Sequence, residues 1–191
     1  MSIIGAVLAL VSCGKKESDV VVTETRALTT KDSLAKLSAS DDERFSNAIP
    51  SPVRATPPEN WLAVRATEFR QLNYRFGTSG TGEVFVSVAG GSLLDNANRW
   101  LGQFGAPALT SETFAAQEKV PMLGAEGLWL EALGTYASGM GQPPREGYAL
   151  AGVLVVANQR LVTVKMIGPA AEVAAERERL RAFVATVSFV E

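Results

Sequence analysis

The spacing of hydrophobic positions changes twice along this chain, and the changes divide it into three parts. From Ile3 to Ser12 the residues read IIGAVLALVS, an almost unbroken apolar run of about ten. That is the length of a signal-peptide core and too short to cross a hydrocarbon layer of ~30 Å. From Gly14 to about Pro58 polar residues dominate. Lys15, Lys16, Glu17 and Asp19 open the tract, Asp41-Asp42-Glu43-Arg44 interrupts any apolar stripe, and Pro50, Pro52, Pro57 and Pro58 close it. Such a tract cannot bury enough apolar surface to offset the entropy of ordering it. From Trp61 onward, alternating and helical spacings appear, and the pattern of a folded domain begins.

Within that domain, Trp61 to Ala66 reads as a short first strand. Leu72, Tyr74 and Phe76 alternate with Gln71, Asn73 and Arg75, the mark of a half-buried strand. Gly77-Thr78-Ser79-Gly80-Thr81-Gly82 supplies a hairpin loop, and Val84, Val86 and Val88 continue the alternation on the returning strand. After Gly90-Gly91, Ser92 is placed to cap a helix whose core face is Leu93, Ala97, Trp100, Leu101 and Phe104, with Gly105 at its end. A second short helix is predicted over Glu112 to Gln117. Leu128, Leu130 and Ala132 then share one face of a strand, with Trp129 and Leu133 on the other.

A Gly/Pro-rich loop over Ser138 to Gly147 leads to a strongly apolar hairpin, Ala149 to Val156 and Leu161 to Ile167, turning at Asn158-Gln159. Its apolar character predicts a central place in the sheet. Pro169 starts a last helix with Val173, Leu180, Phe183, Val184 and Val187 as its buried stripe. Three strands, a helix, three strands and a helix, joined mainly by hairpins, predict an α+β fold: an antiparallel β-sheet flanked by helices.

Composition changes the picture by exclusion. The 191 residues are 47% hydrophobic and 20% charged, the proportions of a globular chain, and carry a net charge of −2. Without a basic stripe there is no electrostatic case for binding nucleic acid. Histidine is absent. This removes the commonest general base near neutral pH, the Ser-His-Asp and Cys-His nucleophile systems, and His-ligated zinc. Cys13 is the one cysteine, so no intrachain disulfide or thiolate cluster forms. No cofactor and no metal site are expected.

The position of Cys13 gives it a role. The apolar run ends in Leu10-Val11-Ser12-Cys13-Gly14: an aliphatic residue, a variable position, a small residue, then cysteine. This resembles the lipobox of bacterial lipoproteins, although only Met1 and Ser2 precede the run and neither is basic. The resemblance implies that the Cys13 thiol receives a diacylglyceryl group and that the chain is cut before it. Two or more acyl chains anchor stably because each buried CH₂ contributes about 0.8 kcal/mol. Residues 1–12 then form a signal peptide, residues 13–56 a lipidated flexible tether, and residues 57–191 the globular domain. A coil of roughly 40 residues spans about 35 Å root-mean-square, enough to clear a membrane surface.

Several pieces of the domain also look like one group: Pro58-Glu59-Asn60-Trp61 at its start, Asn96-Ala97-Asn98-Arg99-Trp100 with Gln103, and Lys165-Met166-Ile167-Gly168-Pro169 before the closing helix. They resemble an uncharacterised group of bacterial envelope proteins, many of them lipoproteins. The layout is similar to the PsbP-like fold, an α/β/α sandwich, several of whose members are accessory or binding factors. Fold alone does not set function.

The candidate residues are few. Asn96, Arg99 and Gln103 share a helical face and form a possible binding face, although any surface helix shows a polar side. Asn98 lies nearer the apolar side, between Leu94 and Leu101, where a structural bond to the backbone of a neighbouring loop is expected. Trp100 is expected in the core, as are Trp61, Tyr74, Phe76 and Trp129.

Gly90-Gly91-Ser92 has the free N–H groups of an anion site but no phosphate-loop spacing, and a strand-to-helix turn with a cap explains it. Lys165 sits in an apolar strand; alternation with Val164 and Met166 predicts a solvated outer face rather than a catalytic base. Glu126 and Glu131 are five residues apart, on opposite faces of a strand, and make no carboxylate pair.

The expected function is a non-catalytic, membrane-tethered binding or accessory domain facing the periplasm or exterior. Its expected partners are the membrane, through lipid on Cys13, and an envelope protein or a small ligand. A hydrolase using carboxylates or a Ser/Lys pair, and a structural envelope component, are the alternatives.

Overall fold

The apolar hairpin lies at the middle of the sheet. In the computed structural model, which describes residues 50–190 apart from Met140, its arms are β7 (Arg145–Ala157) and β8 (Arg160–Pro169), paired antiparallel from Tyr148↔Pro169 to Ala157↔Arg160. Asn158 and Gln159 turn it with positive φ values of 49° and 60°, the left-handed pair of a two-residue hairpin whose twist matches its strands.

The other strands of this sheet are β2 (Leu62–Ala63), β3 (Leu72–Phe76), β4 (Gly82–Ala89), β5 (Lys119–Met122) and β6 (Ala125–Tyr136). The order is β2-β3-β4-β8-β7-β6-β5, and every neighbouring pair is antiparallel. β1 (Val53–Arg54) and β9 (Ser188–Phe189) pair separately. The helices are α1 (Leu93–Gly102), the short α2 (Ser111–Ala115) and α3 (Ala170–Thr186).

Period-two side-chain alternation sends the two halves of each central strand to different helices. Ala151, Val153, Val155, Val162, Val164 and Met166 pack with Val173, Leu180, Phe183 and Val184 of α3. Leu150, Leu154, Leu161 and Ile167 pack with Ala97, Trp100 and Leu101 of α1 and with Phe104 just beyond it. The fold is therefore α+β, a seven-stranded antiparallel sheet between α1 and α3. Trp61, Tyr74, Phe76, Trp100 and Trp129 are all buried.

The elements depart from the sequence reading in several places. The strand expected over Trp61–Ala66 shrinks to Leu62–Ala63, because Trp61 turns inward, where it is 5.0 Å from the Phe183 ring and its Nε1 donates to Glu176 Oε2. β5 was not anticipated: Lys119–Met122 is too short to show a period and is held by pairing with β6. β6 extends to Tyr136 and β7 begins at Arg145, which shortens the expected loop. The folded part also starts before residue 57, since Val53 is buried against its partner Phe189 on β9. Cys13, the apolar run and the tether up to residue 49 lie outside the described residues.

Candidate functional site

The turn from β4 into α1 sets one wall of the site. Gly91 takes a φ of 84°, open to glycine but strained for other residues. Ser92 then caps α1, its Oγ accepting from Asp95 N at 3.0 Å. Asn96, expected on an exposed binding face, is instead buried. Its Nδ2 donates to the carbonyls of Gly90 and Ser92, both at 2.9 Å, and its Oδ1 accepts from Arg99 Nη2 at 2.5 Å. Asn96 thus ties the β4–α1 turn to the first coil of the helix.

Asn98 brackets the segment ahead of α2: its Nδ2 donates to Leu109 O at 3.2 Å and its Oδ1 accepts from Leu109 N at 2.7 Å. Trp100 packs on Gly152, where a Cβ would sit 2.4 Å from Val164 O and 2.9 Å from the Trp100 ring. Only glycine fits between strand and indole.

Gly152 is paired across the sheet with Lys165. Lys165 was expected on a solvated face. It is 4% exposed, because β8 is a central strand and both of its faces are covered. Its Nζ donates to Gln103 Oε1 and lies 4.9 Å from the centre of the Trp100 ring and 5.9 Å from that of Tyr136. Burial lowers the amine from its ordinary 10.5 to about 7, and the charges of Arg99 and Arg70 push the same way. Among the described residues no carboxylate forms an ion pair with Lys165 or Arg99.

Around this amine the residues are half-buried and mostly polar or aromatic. Phe85 is the cross-strand partner of Lys165 on β4, and the Arg70 guanidinium lies 4.1 Å above its ring. Arg70 and Arg75 share Glu83, at 3.0 and 2.8 Å. Tyr136 packs on Phe104 at 5.1 Å and stacks with Tyr148 at 6.3 Å and 13°. Burial raises the Tyr136 phenol and the charge of Glu83 adds to this, while Arg70 and Arg145 act against them. Tyr148 donates its hydroxyl to Thr81 Oγ1 at 3.2 Å, and Arg145 lies 5.6 Å from its ring centre.

Of the three residues proposed as a binding face, Gln103 meets Lys165 by a hydrogen bond and Arg99 by its charge, while Asn96 is buried and accepts from Arg99. Lys165, Arg70 and Tyr136 are the members missed by sequence reasoning. The signal for Lys165 was available: a strand predicted at the centre of a helix-covered sheet has no solvated side.

Among the described residues, the hydrogen bonds around Lys165 give it no proton-exchanging partner. The hydrogen-bond partner of Lys165 is an amide, which exchanges no proton at ordinary pH, and Glu83 is already neutralised by two arginines. Glu131, on the opposite face, accepts from Trp129 Nε1 and pairs with Arg177 at 3.0 Å, while Glu126 is exposed. A separate cavity of about 570 Å³ lies between the start of α3 and β6–β7, walled by Leu133, Ala149, Ala170 and Ala174. Its polar groups, Glu131 and Arg177, already satisfy each other, so nothing there is poised to orient a polar ligand.

No protein-family model matches the sequence. No curated protein matches it either. Several solved structures resemble the fold distantly. One is a protein of Bacteroides thetaiotaomicron VPI-5482, 15% identical with a TM-score of 0.44 over 75% of this chain; the chain spans about half of that protein, 48%. Another is LpqN of Mycobacterium tuberculosis, described as involved in cell envelope biogenesis, 8% identical with a TM-score of 0.44 over 76% of this chain and 88% of that one. Among the described residues no helix is long and apolar enough to cross a membrane.

Proposed function

We propose that the protein is a lipid-anchored, non-catalytic binding domain of the bacterial cell envelope, and that the half-buried residues around Lys165 beside α1 form a recess that is its binding site. The anchor rests on the Leu10-Val11-Ser12-Cys13 segment. One observation carries the binding site: a buried lysine held by a neutral amide instead of a carboxylate, among half-buried polar and aromatic residues. Taking a cation out of water without a counter-charge is costly, and a well-packed methionine would serve the core better. Costs of this kind concentrate where a protein binds something.

Saturation-transfer NMR with a small-molecule fragment library, run on the full chain in detergent and on its Lys165→Met variant, tests the reading. Compounds that contact the wild-type protein and lose that contact in the variant are expected, with none chemically altered over hours. The same set binding equally to both would remove the recess as the site. Conversion of a bound compound would replace binding with catalysis.

A further inference from the structure

The recess holds more positive charge than its own carboxylate neutralises. Lys165 from β8, Arg99 from α1, Arg70 from the loop before β3 and Arg75 from β3 face a single acid among these groups, Glu83, and that acid is shared by Arg70 and Arg75. The side-chain acceptors that Lys165 and Arg99 meet are neutral amide oxygens, of Gln103 and Asn96. The surplus is local, because the whole chain carries a net charge of −2. Beside the cations stand the stacked rings of Tyr136 and Tyr148, with Trp100 and Phe104 behind.

We propose that the recess binds a small organic anion, its carboxylate or phosphate group held by Lys165 and Arg99 and its planar body lying against the Tyr136–Tyr148 pair. This rests on the recess being the binding site and names the class of ligand it takes. An ammonium point charge beside a planar guanidinium fork is the donor set that carboxylate and phosphate oxygens match, and hydrogen bonds to an ionised acceptor are about twice as strong as neutral ones. The amide of Gln103 holds the amine in place without supplying a counter-charge, and an anion beside Nζ would favour the protonated form. Arg70, fixed over Phe85 and tied to Glu83, is a wall rather than a free ligand-binding group. The aromatic side supplies area at low entropic cost and discriminates a flat anion from a bare one.

Calorimetric titration of the full chain in a zwitterionic detergent tests this with six probes: phenyl phosphate, benzoate, inorganic phosphate, acetate, neutral benzamide and neutral benzyl alcohol. Phenyl phosphate or benzoate is expected to bind at least tenfold more tightly than its bare counterpart, inorganic phosphate or acetate, and than either neutral probe. The tighter of the two names the anionic group. Lys165→Met and Arg99→Gln are each expected to weaken that binding at least tenfold, with Arg99→Gln, at an exposed position, guarding against a folding defect in the first variant. If benzamide binds as tightly as benzoate and loses its binding in Lys165→Met, the recess is a site that does not read charge; the anion proposal falls and the binding-domain reading stands. If no probe binds, or if anions bind equally to wild type and both variants, both readings fall.

Discussion

Lys165 and Asn98 show how the same strand-and-helix scaffold treats two polar residues in opposite ways. Asn98 is satisfied twice by one backbone unit, Leu109 N and Leu109 O, and so fixes the chain that leads into α2. Lys165 is satisfied once, by Gln103, and remains a buried cation whose amine burial holds near 7 instead of 10.5. That shift links stability to pH. Below about 7 the amine is protonated in both the folded and unfolded chains, and the full cost of burying the charge is present. Between about 7 and 10.5 the unfolded chain binds the proton more tightly than the folded one, so stability rises with pH across that window. From pH 7 to pH 9 the expected gain is about 2 kcal/mol. Lys165→Met should abolish this gain and raise stability at pH 6, where the charge penalty is largest. Urea unfolding of both proteins at pH 6, 7, 8 and 9 measures it, and parallel pH profiles would show that Lys165 is not the titrating group.

Among the elements, those with a long period were legible and those held by their neighbours were not. The alternation of Leu72, Tyr74 and Phe76, the capped helix after Ser92 and the stripe of α3 each repeat often enough to define a face, and each element is present. The central hairpin was legible from its apolar run, and that run also hid the site. Alternation assumes one wet face, whereas β8 has helices over both, so the Lys165 side chain points under α1. Helical spacing grouped Asn96 with Arg99 and Gln103, yet it carries no information about the incoming loop, whose Gly90 carbonyl captures Asn96. β5, β1 and β9 have four residues or fewer and owe their existence to partners distant in sequence. The contact between elements can be tested at Gly152, where β7 meets α1. Gly152→Ala places a methyl group against Val164 O and the Trp100 ring, and overpacking of this kind typically costs about 1–3 kcal/mol. A drop in melting temperature is expected together with a change in Trp100 fluorescence. An unchanged melt would mean that the indole does not rest on the strand.

At the scale of the whole molecule, the boundary between tether and domain and the membrane anchor are separate questions with separate tests. The domain reaches back to Val53, which pairs with Phe189, while Val190 N donates to Pro52 O and Thr56 N to Thr186 Oγ1. A fragment beginning at residue 57 loses all of these and exposes the end of α3. Burying one valine alone is worth about 1.5–3 kcal/mol. That fragment should therefore melt several degrees below one beginning at residue 50, and equal melting temperatures would return the boundary to residue 57. The proposed anchor depends on one atom, the Cys13 thiol. A single acyl chain holds a protein to a membrane only marginally, and two or more hold it stably at about 0.8 kcal/mol per buried CH₂. The domain itself adds little attraction, with a net charge of −2 on the whole chain and no basic stripe to meet an anionic surface. Cys13→Ser should therefore abolish incorporation of a labelled fatty acid and move the protein from the membrane fraction to a soluble form, or leave it unprocessed with its apolar run attached. Serine keeps the size of the side chain and removes the nucleophile that takes the diacylglyceryl group, so loss of label reports on the modification and not on the fold. Label retained by the variant would place the lipid elsewhere and sink the lipoprotein assignment. The domain, its recess and the anion test would be untouched by that result.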